Sequence, residues 1–200
     1  MQTEILIYDG IEELDALGPF DVLGGAPGFE VRLVTEGSTR SVRTAHGATL
    51  VAGSALTVAP ELLIVPGGSY VARGPAGAWA EVGRGVLPAA IGERFRSGSV
   101  VAGVCTGVML LAAAGLLRGR PAVTHRGALD DLAAAGAEVV ADARVVDDGR
   151  LVTCGGVTAG IDLALWLVER FQGEQAAAAR AATLEHHRVG PIWHSPDPIS

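Results

Sequence analysis

Short β-branched apolar runs alternate with longer apolar stretches of helical periodicity along most of this 200-residue chain. This alternation limits the possible folds most, because repeated β-α units build a mostly parallel sheet covered by helices on both faces. The sequence therefore predicts an α/β fold. No repeat, linker or low-complexity tract divides it, so one domain over residues 1–200 is predicted. The predicted strands are 3–8, 30–35, 61–68, 100–104, 122–125, 138–147 and 151–155, and the predicted helices are 11–24, 86–97, 106–111, 129–135, 158–171 and 174–187.

Three segments depart from simple alternation. Gly18-Pro19 interrupts the first helical pattern, and because proline suits a first helical turn, the regular helix is expected to begin near Pro19 after a lead-in. Residues 40–54 alternate about His46-Gly47, which predicts an antiparallel hairpin or an excursion at a sheet edge. Residues 70–85 are rich in glycine and proline and are interpreted as a loop.

Composition excludes several functions. Apolar residues make up 49% of the chain, but no run approaches the roughly 18 residues of a membrane span. The N-terminus lacks the basic flank and apolar core of a secretory signal, so a cytoplasmic protein with no membrane partner is expected. A formal charge of −7 with dispersed arginines predicts no nucleic-acid partner. The two cysteines are interpreted as catalytic or buried rather than bridged.

Two residue types are missing altogether. All 15 cationic side chains are arginine, and the chain has neither lysine nor asparagine. A Schiff-base lysine, a phosphate-binding Walker lysine and a Cys-His-Asn triad are therefore impossible.

Cys105 lies where the strand pattern from Val100 passes directly into an apolar helical pattern. A side chain at such a strand-to-helix turn projects over the carboxyl edge of the sheet, as in a nucleophile elbow. The first turn of the following helix directs unpaired N–H groups at it, which favours a thiolate at neutral pH. The alternative is a buried cysteine acting as a small hydrophobe, which the flanking Gly103 and Gly107 argue against.

Ligands of open α/β sheets bind outside the carboxyl ends of the strands. Five stretches of polar or glycine residues follow predicted strands at that edge. Their convergence predicts a small-molecule site there. These stretches are Asp9 with the Asp15 segment, Gly67-Gly68, Cys105-Thr106, His125 and Gly155-Gly156.

A cysteine nucleophile needs a group that manages protons and groups that hold developing negative charge. The amides of Gly67, Gly68 and Thr106 could form an oxyanion site, although a tight strand-exit turn explains the glycine pair equally well. Asp15 is a candidate acid, and its alternatives are a helix cap or a solvated carboxylate. His125 is a candidate base or a hydrogen-bonded pocket residue.

The remaining polar candidates have structural explanations. The C-terminal histidines lack the spacing of a metal motif and are interpreted as a solvated or interface tail, so no metal is predicted. Thr158 and Asp162 are interpreted as a cap and a first-turn acid of the long helix. Cys154 lies within a β run and is expected in the core.

The chain resembles the ThiJ/PfpI superfamily from Thr3 to about Pro196, and within it the isonitrile hydratase branch. The resemblance implies a flavodoxin-like three-layer sandwich, a homodimer, no cofactor, and a cysteine nucleophile partnered by an acid. The motifs that carry it are Asp15-Ala16-Leu17-Gly18-Pro19-Phe20-Asp21-Val22-Leu23, Val65-Pro66-Gly67-Gly68, Val104-Cys105-Thr106-Gly107, Thr124-His125 and Gly155-Gly156-Val157-Thr158-Ala159-Gly160-Ile161-Asp162.

Two positions assign the branch. A histidine follows the cysteine in the protease-like branch, whereas this chain has Thr106. The acid is usually glutamate in the deglycase-like and protease-like branches, whereas here it is Asp15. The resemblance implies hydration of an isonitrile to a formamide, with Cys105 as nucleophile and Asp15 as general acid and base. Thr106 is then expected to position Asp15 or water.

Two other functions stay open on this fold. One is a glyoxalase-like or deglycase-like reaction on a small carbonyl compound, in which His125 would matter more. The other is a free-standing redox sensor using Cys105, or a sensory domain like that of certain transcriptional regulators.

Overall fold

A computed structural model describes residues 1–38 and 41–200, and its centre is an eight-stranded sheet. The strand order is β12-β10-β11-β7-β6-β1-β2-β5, and every neighbouring pair is parallel except β10 with β11. Two smaller pairs, β3 with β4 and β8 with β9, lie outside this sheet. The strands are β1 Gln2–Leu6, β2 Glu30–Thr35, β3 Ser41–Arg43, β4 Thr49–Val51, β5 Ser54–Ala55, β6 Leu62–Val65, β7 Val100–Gly103, β8 Pro121–Ala122, β9 Glu138–Val139, β10 Val145–Gly149, β11 Leu151–Cys154 and β12 Ile192–Ile199.

The helices form two groups. The first, sixth and seventh helices pack on one another, and the second, third and fourth helices form a separate group against β7. This arrangement confirms the α/β, flavodoxin-like sandwich. The helices are α1 Glu13–Gly24, α2 Ala78–Arg84, α3 Val86–Arg96, α4 Val108–Ala113, α5 Leu129–Ala134, α6 Ala159–Gln172 and α7 Glu174–Thr183.

The central strands are apolar on both faces because helices cover both faces of the sheet. All four residues of β6 are fully buried, and so are Ile5 and Leu6 of β1. Burying a leucine or isoleucine side chain contributes about 1.5–3 kcal/mol. The continuous runs predicted from the sequence are therefore the core, and the polar residues that follow them reach the carboxyl edge.

The first helix begins earlier than expected. It starts at Glu13, and Pro19 lies in its interior rather than in its first turn. Packing explains why the helix tolerates a proline in its interior, because the Pro19 ring lies against Gly160 of α6. A Cβ added to Gly160 would be 3.5 Å from that ring. The interpretation of 11–17 as a lead-in is wrong, and the correction places Asp15 in the first turn of α1.

The hairpin prediction is confirmed, and the loop prediction is corrected. Strands β3 and β4 pair antiparallel, while Arg40 lies outside the described residues. The hairpin is pinned to α1 by Glu13, which accepts bonds from Thr44 and from the backbone N–H of His46. The predicted loop 70–85 contains α2, which follows a glycine with φ of 85° at position 77.

The C-terminal third holds the largest differences. The predicted strand 138–147 is two strands, β9 and β10, in different sheets. The last predicted helix ends at Thr183 instead of position 187. The predicted solvated tail includes β12, an edge strand that pairs parallel with β10.

Among the described residues, no helix is long and apolar enough to cross a membrane. The cytoplasmic location and the single-domain boundaries 1–200 stay predictions.

Candidate active site

Cys105 is the first residue of a short 3₁₀ turn between β7 and α4, and its φ of 55° is left-handed. A non-glycine residue in this region costs on the order of 1–3 kcal/mol and is kept only where the surroundings fix it. The Cys105 amide donates to the Gly155 carbonyl at 3.1 Å, and the Thr124 hydroxyl donates to the Cys105 carbonyl at 2.7 Å. The predicted nucleophile elbow is therefore confirmed.

Gly107 allows the elbow to pack on the neighbouring strand. An added Cβ at this position would collide with the carbonyl of Val65 and come within 2.6 Å of the Pro66 carbonyl oxygen. Only glycine permits this approach of the turn to the end of β6.

Asp15 is fully buried in the first turn of α1. The start of the helix is tied to the end of β6, because the Glu12 amide donates to the Gly67 carbonyl at 2.9 Å. In return the Gly67 amide donates to Oδ2 of Asp15 at 3.0 Å. Oδ1 of Asp15 is buried and has no hydrogen-bond partner among the described residues. Asp15 is therefore neither a cap nor a solvated carboxylate.

The Asp15 carboxyl and the Cys105 thiol affect each other's protonation. Burial raises the pKa of Asp15 to about 8, against smaller lowering effects of the Gly67 amide and the Cys105 side chain. Burial and then the charge of Asp15 raise the pKa of Cys105 to about 12. Near neutral pH the pair therefore rests as a carboxylic acid beside a thiol.

The expectation of a thiolate is wrong for the resting protein. The amides of Val157 and Thr106 do donate towards the sulfur and lower its pKa, as the turn geometry suggests. Burial of the thiol and the charge of Asp15 outweigh them, because a low dielectric and a neighbouring negative charge both disfavour the charged form.

The amides predicted to form an oxyanion site already have acceptors in this structure. Gly67 donates to Asp15, and Gly68 donates to Oγ1 of Thr106 at 3.0 Å. The Thr106 hydroxyl therefore holds the turn after β6 and does not bond Asp15 directly. The amides of Thr106 and Val157 face the sulfur, so they are the donors nearest to a group bound there.

His125 reaches the same edge by a different route from the one expected. Strand β8 belongs to a separate two-stranded pair, and His125 precedes a short 3₁₀ turn at 126–128. Its Nδ1 accepts the Gly127 amide at 3.1 Å, and its ring lies against Gly156. The structure thus brings together Asp15, Cys105 and Thr106, with His125 on the neighbouring wall.

The other predicted residues are structural. Cys154 is fully buried, as expected.

Thr158 makes no side-chain cap, because its hydroxyl instead accepts Nη2 of Arg144 at 2.8 Å. Asp162 binds Nε of Arg144 and Nε2 of His186, each at 2.8 Å. His194 packs edge-on against Trp166 in the sheet edge.

One group near the site has side chains of the kind that hold metals. Glu12, Glu13 and His46 offer ligand atoms within 4.8 Å of one another. His46 is exposed, and its Nδ1 bonds Oε2 of Glu13 at 2.9 Å. The group is therefore an ion-paired contact that joins the hairpin to α1.

Two contributors were missed by sequence reasoning. The Tyr8 hydroxyl donates to the Pro66 carbonyl at 2.6 Å, and burial raises its pKa well above the usual value, so the phenol stays a donor. The Tyr8 hydroxyl bond to Pro66 fixes the turn that carries Gly67. The second contributor is the amide of Val157. Its position directly after the Gly155-Gly156 pair at the carboxyl edge is the sequence signal that could have marked it as a candidate backbone donor.

A nucleophile elbow on a flavodoxin-like sheet, with a buried acid beside the sulfur, defines a class of cysteine-centred α/β domains. The chain belongs to the DJ-1/PfpI family, whose model matches residues 1–170. This confirms the family resemblance seen in the sequence.

The similar proteins differ in activity. Isonitrile hydratase of Pseudomonas putida is 36% identical over 194 residues, covering 96% of this chain and 81% of that protein. Deglycase PYRAB04690 of Pyrococcus abyssi is 32% identical over 158 residues, covering 76% and 89%. Among solved structures, a ThiJ/PfpI family protein from Pseudomonas syringae is 29% identical with a TM-score of 0.84, covering 95% of this chain and 76% of that one.

Proposed function

We propose that this protein is an isonitrile hydratase, which converts R–N≡C and water into the formamide R–NH–CHO. The observation that carries the proposal is a buried carboxyl, Asp15, which stays protonated near neutral pH beside the Cys105 thiol, and whose Oδ1 has no hydrogen-bond partner in the part of the chain that the structure describes. An unpartnered buried polar atom is costly in a native structure, so it suits a place where a substrate completes the contacts.

The chemistry of an isonitrile fits this arrangement. Its terminal carbon receives both the nucleophile and the proton, so the acid and the sulfur must converge on a single atom. Asp15 and Cys105 interact directly and meet this requirement. A carbonyl compound instead takes its proton on the oxygen, one bond away from the attacked carbon, and needs donors there.

The first step adds the thiol S–H across the terminal carbon. A bond forms between Sγ of Cys105 and the carbon, Asp15 gives its proton to the same carbon, and the thiol proton passes to Asp15. The product is the thioimidate R–N=CH–S–Cys105, and Asp15 is protonated again. No oxidant or other co-reactant is required.

The second step releases the product to water. Asp15 gives its proton to the nitrogen as water adds to the thioimidate carbon, and takes a proton from that water. The resulting intermediate expels the sulfur, which recovers a proton through Asp15, and the formamide leaves. The amides of Thr106 and Val157 stabilise negative charge on the departing sulfur.

The similarity to a deglycase supports a second candidate, a reaction on small carbonyl compounds such as methylglyoxal. In that case the carbonyl oxygen would need a donor, and His125 is the side chain placed on the neighbouring wall. His125→Ala should then abolish product formation, whereas isonitrile hydration through Asp15 should continue.

The test is a substrate panel with matched variants. Purified protein is incubated with cyclohexyl isonitrile or methylglyoxal, and the formamide or lactate is quantified for wild type, Cys105→Ala and Cys154→Ala. We expect formamide from wild type and Cys154→Ala and none from Cys105→Ala. Equal rates for wild type and Cys105→Ala would refute the mechanism, and lactate without formamide would favour the second candidate.

The homodimer implied by the family resemblance stays a prediction. Leu14, Leu17 and Phe20 of α1 are each 37% exposed and form an apolar face that a second copy would cover.

A further inference from the structure

A cavity of about 360 Å³ begins at residues that contact the nucleophile. Two of its lining residues adjoin Cys105, which is not itself in the lining. The Thr124 hydroxyl donates to the Cys105 carbonyl, and the Val157 amide lowers the pKa of the Cys105 thiol. The cavity is large enough for a substituent of several non-hydrogen atoms. It therefore offers a place for the part of a substrate that does not react.

The wall of this cavity carries two arginines and one histidine. Arg126, Arg144 and His125 line it, and no aspartate or glutamate does among the described residues. The rest of the lining is glycine, threonine and small or branched apolar side chains, including Val123 and Leu129. Apolar surface with a cationic end suits a short hydrocarbon chain that ends in an anion.

The two arginines are not equivalent. Arg144 is already bound to Asp162 and Thr158, so most of its charge is compensated. Arg126 is exposed and its guanidinium forms no ion pair within the described residues. The acids nearest to Arg126 in the sequence, Asp130 and Asp131, lie outside the lining, and Asp131 pairs with Arg73.

His125 adds a second donor. Its Nδ1 accepts the Gly127 amide, so in the neutral ring the proton is on Nε2. The Cδ2–Nε2 edge lies along Gly156, where an added Cβ would be 2.6 Å from Cδ2. Gly156 also lines the cavity, so this N–H is available at the wall between the nucleophile and Arg126.

We infer that the substrate is an isonitrile whose substituent ends in a carboxylate, which Arg126 and the Nε2–H of His125 bind in this cavity. The inference rests on the proposed function for the reacting end of the molecule. A planar guanidinium pairs with a carboxylate through charge-assisted hydrogen bonds, which an uncharged alkyl substituent cannot form.

The first experiment compares isocyanoacetate, and its homologues one and two carbons longer, with the corresponding methyl esters. For the carboxylate that fits, wild type should show a KM about tenfold lower than for its ester. Arg126→Gln should remove this difference between the acid and its ester. Arg96→Gln is the matched control and should behave like wild type, because Arg96 is also exposed and makes no ion pair with any residue that the structure describes.

The second experiment does not depend on turnover. Binding of the matching N-formyl amino acid and of its methyl ester is measured by calorimetry on wild type, Arg126→Gln and Arg96→Gln. Preference for the acid that disappears only in Arg126→Gln supports the carboxylate subsite. Equal binding of acid and ester, binding of neither, or equal loss in both variants overturns it.

The two arms separate the proposals. Hydration of esters and acids with equal kinetics in all variants overturns the carboxylate subsite and leaves the hydratase standing. Arg126-dependent binding of the acid with no hydration of any isonitrile overturns the hydratase and leaves the anion preference of the cavity standing.

Discussion

Asp15 and Asp148 are both fully buried, yet their surroundings are opposite. Asp148 is bound by Arg120 through two hydrogen bonds, one of them from Nε to Oδ2 at 2.6 Å. Asp147 and Asp162 are likewise buried against Arg170 and Arg144. Among the described residues Asp15 has no arginine partner; its Oδ2 accepts the Gly67 amide, and its carboxyl interacts with the Cys105 side chain.

The difference separates structural acids from the functional one. An arginine beside a buried carboxylate keeps it ionised and ties two segments together. A buried carboxyl without a cation keeps its proton, which makes it a proton donor near neutral pH. The arginine-bound acids stabilise the sheet edge at β10 and β12, whereas Asp15 lies beside Cys105, where the proposed reaction needs a proton donor.

Asp15→Asn should have the largest effect. The amide retains an acceptor for the Gly67 N–H but has no acidic proton, so kcat/KM for cyclohexyl isonitrile should fall by about 10²–10⁴-fold. The free energy of unfolding in urea at neutral pH should not decrease, because an ionisable group is removed from an apolar site. A large loss of stability with unchanged kcat/KM would place Asp15 among the structural acids.

Asp148→Asn should show the reverse pattern. It leaves Arg120 without its charged partner and should destabilise the fold by about 2–3 kcal/mol. This is less than for a fully buried pair, since the Arg120 side chain is 25% exposed. Urea denaturation measures the loss, and kcat/KM per folded molecule should stay within about twofold of wild type. Loss of activity without loss of stability would contradict the assignment.

The pH dependence of stability should distinguish Asp15 from an ordinary carboxylate. Its pKa is about 8 in the folded protein and about 3.9 in an unfolded chain. A raised folded pKa gives stability that is complete below the unfolded value and is lost as pH rises towards about 8. The free energy of unfolding of Asp15→Asn minus that of wild type should therefore increase by about 2 kcal/mol between pH 5 and pH 7. A difference independent of pH would show that Asp15 titrates normally.

Thr106→Val should have the smallest effect. The valine keeps the shape but removes the acceptor of the buried Gly68 amide, at a cost of about 1 kcal/mol. A fall of a few degrees in Tm by differential scanning calorimetry is expected. Thr106→Ser, which retains the hydroxyl, is the control and should preserve the Gly68 contact. Equal losses in both variants would assign the effect to packing.

Much of the fold could be predicted because periodicity reports burial directly. The strand-to-helix junction at Cys105 is visible since β-branched residues pass into an apolar helical pattern with glycines on both sides. Asp15 could be named as a candidate from its place at the carboxyl edge, but its role depended on the resemblance, because nothing in its local pattern distinguishes it from Glu12 and Glu13 beside it.

The remaining features depend on contacts between distant segments. The protonation state of the pair follows from burial by several elements, which outweighs the local effect of the turn on the thiol. Strand β12 contains Pro196 and Pro198 and alternates poorly, so only its position at the sheet edge makes it a strand. Helix α2 follows a glycine-rich stretch and is defined by packing against α3 and α4.

The most direct test of the central claim is acid-quenched mass spectrometry of the protein under turnover with cyclohexyl isonitrile. Addition of the thiol S–H across the carbon, with nothing leaving, predicts a wild-type adduct equal in mass to one whole isonitrile. Tandem spectra should place it on Cys105 and not on Cys154, and Asp15→Asn should form it far more slowly. Formamide production at the wild-type rate by Cys105→Ala, or an adduct on Cys154 alone, would contradict the account.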